Sequence, residues 1–72
     1  MTGDEHLTWA KARAIEYLDA GDLMRAYASL TSDLTKHDET AGMLSTGALR
    51  HGMAAAVAGV PDDVRQWIEG FR

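Results

Sequence analysis

The chain has no cysteine, a single proline, one phenylalanine and only seven basic residues among 72. Without cysteine there is no disulfide, no thiolate-bound zinc, no iron–sulfur cluster and no cysteine nucleophile. The usual staples of very small folds are therefore missing. A chain of this length forms one domain and buries only about 60% of the surface its unfolded form exposes, so stability must come from packing, helped by a second copy. The lysines and arginines are dispersed, which leaves no electrostatic footprint for nucleic acid. No apolar stretch approaches the roughly 20 residues of a membrane span, and the opening Met-Thr-Gly-Asp-Glu-His is acidic where a secretory leader is basic. The expected compartment is the cytoplasm.

What is present is globular in balance: 46% hydrophobic and 25% charged residues, with a net charge of −4. The acidity lies toward the front. Asp4, Glu5, Glu16, Asp19 and Asp22 face only Lys11 and Arg13, whereas Asp62, Asp63 and Glu69 are matched by Arg50, Arg65 and Arg72.

Apolar spacing predicts helices and no strand. Leu7, Ala10, Ala14, Tyr17 and Leu18, with Ile15 at the margin, define a first helix over about 4–20, and Gly21 supplies its left-handed stop. Asp22 is a good N-cap for a second helix, whose stripe is Leu23, Ala26, Tyr27, Leu30 and Leu34. Gly21 and Asp22 thus join an antiparallel hairpin. Residues 38–45 read as a connection, and Ser45 caps a third helix over 46–58 that is apolar almost all round: Leu49, Met53 and Ala56 lie opposite Leu44, Ala48 and Ala55. Such a helix is central in its domain or sandwiched against a partner subunit. Gly59 closes it. Pro61 opens a short fourth helix with the stripe Val64, Trp67 and Ile68, ended by Gly70, after which Phe71 folds back. The expected fold is all-α, a single domain over 1–72 with residues 1–3 flexible, made of three main helices and a short C-terminal one.

Residues 15–30 resemble the middle of a tetratricopeptide repeat, with Tyr17, a Gly21-Asp22 turn, Ala26 and Leu30 at the repeat's positions. Asp33 then stands where the repeat needs a small residue, and its closing proline is missing. One such unit cannot bury its own faces, so it implies a hairpin of similar geometry and no peptide-binding solenoid. A wider resemblance rests on Ala26 to Leu30 running into Ser32-Asp33-Leu34-Thr35-Lys36-His37, then Glu39-Thr40 and the ending Ile68-Glu69-Gly70-Phe71. With an Ala- and Met-rich third helix between them, these segments resemble small helical proteins encoded by phages of actinobacteria, with relatives in their hosts. Asp38 stands where those proteins often have proline, and 41–46 does not align readily. The resemblance implies a small non-structural phage protein made inside a bacterium. It transfers no catalytic residue, because the family has none assigned.

Three constellations bear on function. Asp33 and His37 are spaced i, i+4, so a carboxylate next to the imidazole, with Asp38 and Glu39 close by, is the start of a metal site or general base; the simpler reading has His37 anchoring the end of the second helix. His6 and His51 add no ligand spacing, and no metal or cofactor is expected. Trp9 lies off the main stripe of the first helix, next to Ala12. It is either a partner-binding anchor or is covered by the fourth helix with Trp67 and Phe71. Gly47 and Gly52 weaken a helix unless another helix approaches closely. The glycines follow no strand and carry no phosphate-loop lysine, and no serine or threonine has an activating base.

The expectation is therefore a non-enzymatic accessory protein acting by protein–protein contact on a host or phage protein, through Trp9, Leu49, Met53, Trp67 and Phe71, and self-associating as a homodimer through the third helix. The alternative is a small nucleic-acid-associated regulator presenting Arg50 and His51 of the third helix to DNA.

Overall fold

A computed structural model describes residues 2–72. Five helices follow one another: α1 (Gly3–Asp19), α2 (Leu23–Thr35), α3 (Asp38–Ala41), α4 (Thr46–Ala58) and α5 (Pro61–Glu69). There is no strand among the described residues, and 79% of them are helical. The all-α bundle read from the sequence is the fold.

Its local signals act as physics requires. Gly21 and Gly59 adopt φ of 84° and 74°, the left-handed region in which a Cβ is strained, and each ends a helix. Asp22 accepts from the Arg25 N–H and Ser45 from the Ala48 N–H, satisfying donors that the first helical turn leaves free. Thr2 does the same for Glu5. Of residues 1–3, expected to be flexible, Met1 lies outside the described residues, Thr2 caps α1, and Gly3 begins it, buried against Glu39.

The two predicted stripes form the core. Leu7, Ala10, Ala14 and Leu18 of α1 meet Ala26, Leu30 and Leu34 of α2, and Val64, Trp67 and Ile68 of α5 complete it with Ala55, Ala56 and Phe71. Alanines at 10, 14 and 26 bring the α1–α2 hairpin close. Lys11 ties the far end of the chain to α1, donating through Nζ to the carbonyl oxygens of Glu69 (3.3 Å) and Phe71 (2.8 Å).

One expectation needs correction, and one alternative falls. The connection over 38–45 contains a helix, α3, held down by Thr40, whose buried hydroxyl donates to the Leu34 carbonyl at 2.6 Å. Four residues are too few to show a period. Of the two placements left open for the third helix of the sequence reading, α4, the central one does not hold. The helix buries only Gly52, Ala55 and Ala56 and leaves Met53, Ala54 and Val57 exposed.

Gly52 has the in-chain reason that Gly47 lacks. A Cβ at 52 would overlap the six-membered ring of Trp67, which lies against the bare backbone, whereas a Cβ at 47 meets only the Ser45 hydroxyl, 3.9 Å away. Gly52→Ala is expected to cost about 1–3 kcal/mol by overpacking, while Gly47→Ala is neutral or stabilises by up to about 1 kcal/mol. Thermal unfolding followed by circular dichroism checks the pair; equal midpoints would show that the indole is free to move aside.

Candidate interaction surfaces

The Asp33–His37 pair does not form. Asp33 is 1% exposed and turns toward α1, where its Oδ2 accepts from Arg13 Nε at 2.9 Å, while Oδ1 accepts from Lys36 Nζ at 3.2 Å and Ser29 lies at 3.5 Å. His37 has left α2 and caps α3 instead, its Nδ1 accepting from the Glu39 N–H at 3.2 Å. So both sequence readings of His37, as a base beside Asp33 and as the anchor of the α2 terminus, give way to a cap for the next helix.

His6, set aside in the sequence because it lacked ligand spacing, turns out to be structural. It is buried, and Nε2 lies 2.5 Å from the Asp33 carbonyl oxygen. A carbonyl only accepts, so Nε2 carries the proton. Its ring lies between Trp9 (5.4 Å between centroids) and His37 (5.2 Å, stacked). The signal was its spacing: His6 stands four residues before Ala10 on the buried stripe. Among the described residues no group of three His, Asp or Glu side chains is arranged to hold a metal ion.

Trp9 is 39% exposed, and its ring packs on His6 and under the Arg13 guanidinium, 4.9 Å from the ring centroid. The fourth helix of the sequence reading, α5, does not cover it. Asp4, Glu5, Thr8, Trp9 and Ala12 line a shallow depression of ≈ 410 Å³ on the outer side of α1. The covered-by-Trp67 reading is thereby overturned.

Trp67 and Phe71, expected at the partner surface, are spent inside the chain. Trp67 is 6% exposed, donates from Nε1 to the Ala48 carbonyl at 2.9 Å, stacks on Tyr27 (5.3 Å) and meets the Phe71 ring edge-on (5.2 Å). Aromatic side chains bury the largest apolar areas, and a core of this size cannot spare them. Leu49 is half-buried and Met53 40% exposed; they share a shallow groove of ≈ 470 Å³ with Tyr27, Arg50, Ala54 and Val57. Val57, 70% exposed, was missed as a surface residue although it follows Met53 by four positions. Arg50 and His51 are exposed on α4, and neither forms an ion pair among the described residues.

No protein family, curated protein or solved structure matches the chain. No helix among the described residues is long and apolar enough to cross a membrane.

Asp33 therefore acts as a structural tie between α1 and α2. Asp33→Asn keeps the shape and removes the charge, and should lower stability by about 1–3 kcal/mol, while His37→Ala should cost about 1 kcal/mol as a lost cap. Urea unfolding of both variants decides; an Asp33→Asn protein as stable as the parent would reopen a chemical role for the carboxylate.

Proposed function

We propose that this is a non-enzymatic accessory protein of the phage type that works by binding another protein, a host or phage component, and that it self-associates through α4. The observation that carries the reading is the exposure of Trp9. In a chain with two tryptophans and one phenylalanine, where Trp67 and Phe71 are buried, one large aromatic is left on the surface. Tryptophan is over-represented among the residues that dominate binding energy, because it gives a large rigid contact at small entropic cost. The apolar side of α4 supports a second contact.

The DNA-presenting alternative has less behind it. Arg50 and His51 are exposed, but Arg50 is the one arginine of α4, and the chain carries a net charge of −4. Phosphate binding requires several such cations on one face.

Trp9→Ala removes a side chain outside the core, so the fold should stay within about 1 kcal/mol of the parent. Capture of a specific protein from an actinobacterial lysate should be lost by that variant, with the helical circular dichroism unchanged. A variant that still captures the same protein, or that loses its helix signal, would refute the assignment of Trp9 as the binding anchor.

A further inference from the structure

The exposed side of α4 carries an asymmetry that specifies how it is covered. Leu49, Met53, Ala54 and Val57 make it apolar, and a single charge, Arg50, stands among them without an ion-pair partner in the described chain. At the other end α4 has no basic residue in its last turn to complement its dipole, and after Gly59 the chain runs directly into Asp62 and Asp63, which are exposed and also without ion pairs. The face thus holds a cation toward its N-terminal end, and two unpaired carboxylates in the first turn of α5 follow its C-terminal end.

We infer that α4 pairs antiparallel with α4 of a second copy about a two-fold axis at Ala54, with each Arg50 reaching the C-terminal end of the partner helix. This rests on the reading of α4 as the self-association face and adds its register and its charge contact. An isologous interface needs a self-complementary patch, in which a residue and its complement exchange places across the axis. With Ala54 on the axis, position 50 lies opposite position 58. Helical side chains lean toward their own N-terminus, so in the antiparallel pair the Arg50 head is carried past Ala58 toward the partner's carbonyl groups and acidic turn. Its methylene stem lies over apolar surface on the way. A parallel pair would set the two Arg50 side chains side by side. Small residues allow the approach: Ala54 at the axis, and Gly47 and Ala58 on the same side, with only the Ser45 hydroxyl near Gly47. A face one helix wide lies below the usual size of permanent interfaces, so the dimer is weak and concentration-dependent.

Sedimentation across about 10 μM to about 1 mM, a range suited to small interfaces, should show monomer passing to dimer. Val57→Asp should hold the chain monomeric with its helix signal intact. Arg50→Glu should weaken dimerisation at least about tenfold, and adding Asp62→Lys and Asp63→Lys should restore it, since charge reversal re-creates the contact. Because the chain has no cysteine, Ala54→Cys is expected to crosslink to itself on oxidation and Ser32→Cys is not. A parent chain that stays monomeric overturns both the pairing and the self-association it rests on. A dimer indifferent to Arg50→Glu, or crosslinked through 32 and not through 54, overturns this pairing alone.

Discussion

The seating of the Trp67 indole at Gly52 is the contact on which the second half of the molecule depends. The bare backbone of α4 admits the ring, the ring's N–H is satisfied by the Ala48 carbonyl, and its two aromatic neighbours come from α2 and from the residues after α5. One side chain thereby sets the distance between α4 and α5 and the position of both against the α1–α2 hairpin. The arrangement uses both of the buried aromatics among the described residues of the core, Trp67 and Phe71. That is why α4, built of alanine, glycine and methionine, can be held by so narrow a strip.

Asp33 plays the corresponding part in the first half. Its carboxylate takes Arg13 from α1 and Lys36 from its own helix, and its carbonyl takes His6, so side chain and backbone of one residue both tie α2 to α1. A buried carboxylate left alone is costly, and here every buried side-chain polar atom among the described residues has a partner. The His6 ring, the Trp9 ring and the Arg13 guanidinium follow one another outward from this point, so the exposed tryptophan rests on groups tied to Asp33.

The elements readable in advance were those whose signal is local. Stripes at helical spacing, the glycines at 21 and 59, the caps at Asp22 and Ser45 and the proline at 61 act within a few residues, and each lies where its chemistry placed it. What was not readable depended on which residue meets which across the chain. The i, i+4 spacing of Asp33 and His37 allowed a contact, but Arg13, twenty positions earlier, offered the carboxylate a full charge. Trp67 and Phe71 were read both as part of a stripe with its fold-back and as a binding surface, and the small core takes them up. His6 looked unremarkable because its partner is a backbone carbonyl, which no residue type announces. Helix α3 was hidden by its length.

The clasp of Lys11 on the carbonyls of Glu69 and Phe71 has a consequence for how the molecule opens. Its partners are separated by 58 and 60 positions, so the contact closes nearly the whole chain into a loop. In a short helical protein the last helix ordinarily frays on its own, at a small fraction of the global unfolding free energy. Here the helix that would fray first is tied to the middle of α1, and releasing it also uncovers the apolar side of Trp67. Opening at that end is thereby coupled to loss of the α4–α5 contact, and a chain with few means of cross-linking gains cooperativity from one ammonium group.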